Sequence, residues 1–335
     1  MRRPLRGLAP LLALVLCSAP ALGADPGLPP TATAPATPAT AGSEPAMRSG
    51  REIYASFVEG LADPECAPGD VSTRWRQHFG HVPDQLNTRN GDVLPLFGYV
   101  VDALRASHLP TEYALIPFVE SGYRPGARSD SGPAGLWQFI AVTARNHKIA
   151  IRPGYDGRLS PVEATTAAVR YLKTLHGMFA GDWRLAVMAF NAGEYRVLGA
   201  LKRHGQRAAS ADPAQLASLS GITQSYVRKL HALSCLMLEA DDSDAWLQAL
   251  DRPVPRLVGF DLPANARSLD AFASRRGFDA GWLKRLNPAF ADGKVASPGR
   301  GLSVLAPAVA APLPGVDILP PPAAAAPPAA AAVAN

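Results

Sequence analysis

A single glutamate at the end of an apolar segment is the first residue that could do chemistry. Every residue from Tyr113 to Val119 is apolar, and Glu120 follows directly. A helix that is apolar on all sides is buried, so a carboxyl group in its last turn is costly to ionise and its pKa should rise. Such a glutamate is protonated near neutral pH and can act as a general acid. The alternative is a glutamate that ends a helix and faces water. We expect Pro117 to kink this helix.

A second segment, residues 127–139, offers hydrogen bonds and an apolar face to a ligand. Glycines let the backbone approach a ligand closely, and the face of Trp137 can pack on a sugar ring. The segment's other candidate residues are Ser129, Ser131, Gly135 and Gln138. The plainer interpretation is a loop that leads to a core tryptophan.

Two later residues complete the candidate set. Asn191 lies where a helix is expected to break, just before Gly193, so its amide can face a cleft or simply end the helix. Tyr226 lies in a helical segment, where a tyrosine is commonly half-buried packing. Each of these motifs alone is weak evidence for a function, whereas their order along the chain is informative.

This order resembles the soluble-lytic-transglycosylase and goose-type-lysozyme superfamily over about residues 54–238. The family's motifs match, in order, Glu120-Ser121, Gly135-Leu136-Trp137-Gln138, Ala189 to Gly193, and the late tyrosine Tyr226. The chain departs from the family at Phe190, where relatives usually have a tyrosine whose hydroxyl lies close to the catalytic glutamate. The loss of that hydroxyl could weaken substrate positioning, or be harmless if Tyr226 supplies the nearby hydroxyl.

The resemblance implies a peptidoglycan lytic transglycosylase with Glu120 as its single acid/base. Glu120 would protonate the glycosidic oxygen between N-acetylmuramic acid and N-acetylglucosamine. It would then take the proton of the muramyl C6 hydroxyl, which closes a 1,6-anhydro ring without water. The residues implied in substrate binding are Ser121, Ser129, Ser131, Gly135, Trp137, Gln138, Phe190, Asn191 and Tyr226. No cofactor or metal is implied. Two alternatives are a hydrolytic muramidase and a catalytically poor peptidoglycan-binding scaffold.

The elements that must position these residues are mostly helical. We predict a mainly α, lysozyme-like catalytic domain over residues 48–252. Ser160 and Glu163 predict a capping box at the start of one of its helices. A small α+β module over residues 256–307 follows, with strand-like ends around two helical segments. It is either LysM-like or a plain packing unit.

The first residues of the chain predict export. Residues 1–24 are typical of a signal peptide, and residues 25–47 form a linker rich in Pro, Ala and Thr. We expect residues 308–335, which are nearly all Pro and Ala, to form a disordered tail. We expect the periplasm, possible membrane association through attachment to the outer membrane, and a lipid anchor on Cys17 as an alternative to simple cleavage.

The net charge is only +5 and the sequence has no run of basic residues, so the charge does not indicate a nucleic-acid-binding protein. An oxidising compartment permits a disulfide between Cys66 and Cys235, although two buried free thiols fit the sequence equally well. His78 and His81 form a His-x-x-His pair without a third ligand at recognisable spacing.

Overall fold

The computed structural model describes residues 45–290, 293–295 and 301–309, and this part of the chain is mainly helical. The predicted mainly α, lysozyme-like fold is confirmed. Its helices are α1 (Gly50–Glu59), α2 (Thr73–Phe79), α3 (Val82–Asn87), α4 (Val93–Ala106), α5 (Ile116–Ser121), α6 (Ala141–Asn146), α7 (Pro161–Met178), α8 (Trp183–Ala192), α9 (Glu194–Arg203), α10 (Gly221–Asp241), α11 (Asp244–Leu250), α12 (Leu269–Arg276) and α13 (Ala280–Leu286). The predicted signal peptide, Cys17, and most of the predicted linker and tail lie outside the described residues.

Three short antiparallel sheets accompany the helices in the described residues. Their strands are β1 (Met47–Ser49), β2 (Ile151–Arg152), β3 (Tyr155–Asp156), β4 (Pro253–Pro255), β5 (Leu257–Asp261) and β6 (Ser303–Pro307). They pair as β1 with β4, β2 with β3, and β5 with β6. Because Met47 lies opposite Pro255, the two ends of the helical part meet at the first of these sheets.

Helix α8 lies at the centre of the helical part, in contact with α7, α9 and α10. Its residues Leu185, Ala186 and Val187 are completely buried, as are Leu172 of α7 and Leu233 of α10. Burying a large aliphatic side chain contributes about 1.5–3 kcal/mol, so this contact stabilises the helices that carry the candidate residues. In the described part of the chain, no helix combines the length and the apolar character needed to span a membrane.

Helix α7 begins largely as its sequence predicts. The Ser160 hydroxyl accepts a hydrogen bond from the Glu163 N–H at 3.3 Å, and Pro161 occupies the first turn. The predicted capping box is half formed. The Glu163 carboxylate does not return to the Ser160 N–H, because it accepts from the Tyr155 hydroxyl at 2.5 Å and the Ala150 N–H at 3.3 Å.

A disulfide joins Cys66, in the segment between α1 and α2, to Cys235 in α10. The sequence is compatible with either a disulfide or two free thiols, and the structure contains the disulfide. It links residues 169 positions apart in the sequence. The covalent link therefore holds the 61–72 segment against the helix that carries Tyr226.

The C-terminal unit contains β5, β6, α12 and α13, at the positions where the sequence predicts strands and helices. Phe260, Phe272 and Leu283 belong to its apolar cluster, which Tyr155 and Leu159 of the helical part also join. The unit therefore packs on the helical part through a shared core. Its LysM-like identity stays a prediction.

Candidate active site

The chain segment that leads to Glu120 consists of two short helices. Residues Thr111–Leu115 form a 3-10 helix, and α5 follows at Ile116. Pro117 lies in the first turn of α5, so the predicted kink inside one long helix is wrong. Proline is tolerated there because the first-turn N–H has no helical partner. Gly122 ends α5 in the left-handed conformation, with φ of 61°, and Glu120 lies in its last turn.

Glu120 is held by a tyrosine from a distant helix. The Tyr226 hydroxyl donates to Glu120 Oε1 at 2.5 Å. Burial raises the pKa of the Glu120 carboxyl above its ordinary value, while the Tyr226 hydrogen bond and the charge of Lys229 act in the opposite direction. Because desolvation is the largest of these effects, the neutral acid is favoured relative to a glutamate in water. The expectation of a raised pKa at Glu120 thus has a physical basis in this site.

A cavity of about 330 Å³ opens at Glu120. Five of the sequence-predicted residues line it: Glu120, Trp137, Gln138, Phe190 and Asn191. The other lining residues are Phe139, Ile140, Thr143, Tyr171, Ala192 and Gly193. The last turn of α5, the 137–140 loop and the end of α8 thus converge on one cavity, as the motifs predicted.

Trp137 forms the floor of this cavity. Its side chain is only 1% exposed, and its Nε1 donates to Thr165 Oγ1 at 3.0 Å. Phe190 is half-buried beside it, with ring centroids 6.3 Å apart. A buried indole has no open face for a sugar, so Trp137 shapes the floor and does not stack on the ligand.

Gln138 and Gly135 shape the loop beside the floor. The Gln138 Nε2 donates to the Gly135 carbonyl at 2.8 Å and to the Ala127 carbonyl at 3.3 Å. Gly135 has φ of 84°, and a Cβ there would lie 1.7 Å from the Arg158 carbonyl oxygen. Glycine is therefore required where two backbone segments touch. The Gln138 amide nitrogen is committed to the loop, which leaves its oxygen as the group that can accept from a ligand.

The three predicted serines lie elsewhere. Ser121 is buried and donates to the Leu136 carbonyl at 2.8 Å, which ties α5 to the cavity loop. Ser129 and Ser131 are exposed, and their hydroxyl oxygens lie 2.8 Å apart in a turn. Neither lines the Glu120 cavity. The structure therefore gives Ser121 a supporting contact and does not bring Ser129 or Ser131 to the cavity.

Asn191 is positioned by α10. Its Oδ1 accepts from the Thr223 hydroxyl at 3.3 Å, and Gly193, two residues later, has φ of 92° at the break between α8 and α9. The amide nitrogen of Asn191 is the part that can donate to a ligand. Thr223 lies one turn before Tyr226, so one helix orients both the acid and the amide.

Tyr171 was missed at the sequence level. Its hydroxyl donates to Glu194 Oε2 at 2.9 Å, and its ring lies 5.8 Å from Phe190 and 4.3 Å from His147. In the sequence, Tyr171 is one tyrosine on an amphipathic helix. Only the packing of α7 against α8 brings it to the cavity.

The described residues contain one group with metal-ligand side chains, Asp70, His231 and Cys235. The Cys235 sulfur is bound in the disulfide, so it is not a thiolate ligand. His78 and His81 are not part of this group.

We expect Tyr226→Phe to shift the pH dependence of turnover. The lost hydrogen bond stabilises ionised Glu120, so its removal raises the Glu120 pKa further. If protonated Glu120 is the active form, activity is lost as pH rises through this pKa. The alkaline edge of the kcat/KM profile should therefore move to higher pH in the variant.

Tyr54→Phe is the matched control for that profile. The Tyr54 hydroxyl donates to the Met237 carbonyl of the same α10 helix, at 2.9 Å. Loss of this hydrogen bond should lower the stability of the fold slightly and leave the alkaline edge of the kcat/KM profile in place. An edge that stays fixed or moves to lower pH in Tyr226→Phe would contradict the role given to this hydrogen bond.

Comparisons with known proteins find similarity over the part of the chain that contains Glu120. A family model described as "Transglycosylase SLT domain" matches residues 101–212. The chain is 38% identical over 143 residues to the membrane-bound lytic murein transglycosylase D of Escherichia coli K12, which is 43% of this chain and 31% of that protein. It is 40% identical over 107 residues to a putative tributyltin chloride resistance protein of Alteromonas sp. M-1, 32% of this chain and 52% of that one.

A third relative is the peptidoglycan transglycosylase gp16 of Escherichia phage T7, 39% identical over 83 residues, 24% of this chain and 6% of that protein. The matched part thus spans about a third of the E. coli protein's length. The residues matched by the family model include Glu120, Gln138 and Asn191. Tyr226, which donates a hydrogen bond to Glu120, lies beyond the end of the matched range. Residues 101–212 of this chain are thus similar to the transglycosylase SLT domain family.

Proposed function

We propose that this protein is a peptidoglycan lytic transglycosylase that cleaves the bond between N-acetylmuramic acid and N-acetylglucosamine and leaves 1,6-anhydromuramyl ends. The observation that carries the proposal is the composition of the cavity. Among the described residues that line it, Glu120 is the single carboxylate. Glycosidases that activate water or form a covalent intermediate generally need two carboxylates across the scissile bond. One acid is enough when the substrate's own hydroxyl is the nucleophile.

Glu120 acts first as acid and then as base. Tyr226 donates to Oε1, so in the proposed reaction the other oxygen, Oε2, carries the proton. Oε2 gives that proton to the glycosidic oxygen, and the bond to the muramyl C1 breaks. The resulting carboxylate takes the proton of the muramyl C6 hydroxyl, whose oxygen then bonds to C1. Protons balance, and Glu120 returns to its neutral form.

The neighbouring side chains hold the sugars around Glu120. Among the polar groups of the cavity, the Asn191 amide nitrogen and the Gln138 oxygen can bind N-acetyl groups or hydroxyls. The Trp137 floor and the Phe190 ring exclude water from one side of the Glu120 cavity. Because the nucleophile is tethered to the reacting carbon, orientation contributes a large share of the acceleration.

Phe190→Tyr tests whether the missing family hydroxyl matters. Tyr226 already supplies a hydroxyl to Glu120, so we expect the variant to keep wild-type turnover within about threefold, a difference below ~1 kcal/mol. Initial rates on purified sacculi check this. A gain of about a hundredfold would show that Phe190 disables the wild-type enzyme, which would favour the scaffold alternative.

Product analysis tests the proposed reaction. Mature protein is incubated with purified sacculi, and the released muropeptides are identified by mass spectrometry. Anhydromuropeptides support the transglycosylase, whereas reducing ends would indicate a muramidase. Binding without release, in wild type and Phe190→Tyr alike, would indicate a scaffold. We also propose, from the N-terminal sequence and the "membrane-bound" name of the E. coli relative, that the protein is exported to the periplasm.

A further inference from the structure

Four side chains with metal-ligand chemistry meet where the 61–72 segment lies against α10. His231 Nε2 lies 3.1 Å from Asp70 Oδ2 and 3.9 Å from Cys235 Sγ, and these three ligand atoms all lie within 4.8 Å of one another. Cys66 is the fourth, because its sulfur is bonded to that of Cys235. We call Asp70, His231, Cys66 and Cys235 the disulfide–histidine cluster.

The spacing of the cluster is close to that of a tetrahedral zinc site. Zinc binds sulfur at about 2.3 Å and nitrogen or oxygen at about 2.0–2.2 Å, so neighbouring ligand atoms lie about 3.3–3.8 Å apart. The distances from His231 to Asp70 and to Cys235 are close to this range. The two bonded sulfurs are too close together, and they can separate because Cys66 lies in a segment without helix or strand.

The second ring nitrogen of His231 faces a carboxylate, as in many zinc-binding histidines. His231 Nδ1 lies 3.7 Å from Asp63 Oδ2 and makes no hydrogen bond within the described part of the chain. A carboxylate at this nitrogen favours the tautomer that carries its proton on Nδ1, which leaves Nε2 free to bind a metal ion. Asp63 is held in turn by Arg184. The imidazole is thus oriented with Nε2 towards Asp70 and Cys235.

The cluster can be reached from solvent. Asp70 and His231 line a cavity of about 830 Å³, through which an ion can enter. Cys66 is exposed, whereas Cys235 is only 1% exposed. A reductant therefore meets the sulfur of Cys66 first, and the sulfur of Cys235 is the leaving group beside His231.

We propose that reduction of the Cys66–Cys235 disulfide converts the cluster into a zinc site with two thiolates, one imidazole and one carboxylate as ligands. A dithiol reductant attacks the Cys66 sulfur, the bond between the two sulfurs breaks, and Cys235 leaves as a thiolate. The second thiol of the reductant then displaces Cys66. The reductant becomes a disulfide, the protein gains two electrons and two protons, and Zn²⁺ binding releases the two thiol protons.

The ligand set selects the metal, and its position defines the consequence. Thiolates and imidazole suit Zn²⁺, whereas Mg²⁺ and Ca²⁺ take oxygen ligands. Bound zinc would join the 61–72 segment to α10, the helix that carries Tyr226, after the covalent bond is broken. The same two parts of the chain are held together by a disulfide in the oxidised protein and by a metal ion in the reduced protein.

Zinc titration of the oxidised and the reduced mature protein tests the proposal. The protein is reduced by a dithiol that is then removed in the absence of oxygen, and a chromophoric chelator competes for the metal. We expect one Zn²⁺ per reduced chain and none on the oxidised chain. Co²⁺ in place of zinc should give the absorption of a tetrahedral site with thiolate ligands. Equal zinc binding by the two forms would overturn the proposal.

Single substitutions identify the two ligands that are not cysteines. Asp70→Asn and His231→Gln should each weaken zinc binding by the reduced protein at least about tenfold, a loss that changes around a metal site commonly cause. Asp242→Asn and His78→Gln lie outside the cluster and are the matched controls, with unchanged affinity expected. Wild-type affinity in both Asp70→Asn and His231→Gln would show that the thiols bind zinc without the cluster.

Thermal unfolding shows whether the metal binds the folded protein. Zinc at about a hundredfold excess over its Kd should raise the midpoint for the reduced wild type by about 5–10 °C and leave the oxidised wild type unchanged. Zinc that binds the reduced protein without raising the midpoint would overturn the proposal. None of these measurements uses peptidoglycan, so their outcome is independent of the proposed function.

Discussion

Glu120→Gln should lose turnover by a factor of about 10²–10⁴, because glutamine can neither give nor take the proton at the scissile bond. The change keeps the size of the side chain and an acceptor for the Tyr226 hydroxyl, so the fold should be retained. Initial rates on sacculi measure the loss, and circular dichroism checks the fold. Unchanged turnover would remove Glu120 from the mechanism.

The same variant should be as stable as the wild type or more stable at neutral pH. The Glu120 pKa is raised in the folded protein, so ionising this group destabilises the native state. The stability advantage of glutamine should therefore grow as pH rises above about 4.3, the ordinary glutamate pKa. Glu163→Gln is the matched control, because burial also raises the pKa of Glu163, which lies outside the Glu120 cavity. It should keep turnover.

Removing the disulfide is the change with the largest expected effect on stability. Cys66→Ser/Cys235→Ser should lower the free energy of unfolding by about 2–5 kcal/mol. The bond closes a long loop and holds the 61–72 segment on α10, the helix that positions Tyr226. Activity should consequently be lost at a lower temperature than in the wild type.

Chemical denaturation with and without a dithiol reductant checks this expectation. The reductant should destabilise the wild type by about as much as the double substitution and should leave the variant unchanged. Equal stability of wild type and variant under oxidising conditions would show that the link contributes nothing to the fold.

The sequence predicted those parts of the site that depend on local signals. The apolar run before Glu120 allowed either a buried carboxyl or one that faces water, and the break at Gly193 allowed either an amide that faces a cavity or a plain helix end; the structure has the first of each pair. The helix starting after Ser160 and the two helices of the C-terminal unit follow from caps and periodicity. The partnership of Tyr226 with Glu120, 106 residues apart, came from the family resemblance.

What the sequence could not predict depends on tertiary packing. Tyr171 enters the cavity because α7 packs on α8, and no pattern around it indicates this. Gly135 looked available to a ligand, but its missing side chain makes room for the Arg158 backbone. Ser129 and Ser131 lie close to Gln138 in sequence, yet their turn directs them away from the cavity lining.

In the proposed reaction, Glu120 activates the substrate's own hydroxyl and no water is added. Digestion of sacculi in water enriched in heavy oxygen, followed by mass spectrometry of the released muropeptides, tests it most directly. We predict anhydromuropeptides without heavy oxygen from the wild type and no release by Glu120→Gln. Reducing-end products that carry the label would contradict the account, because water and not the muramyl hydroxyl would then be the nucleophile.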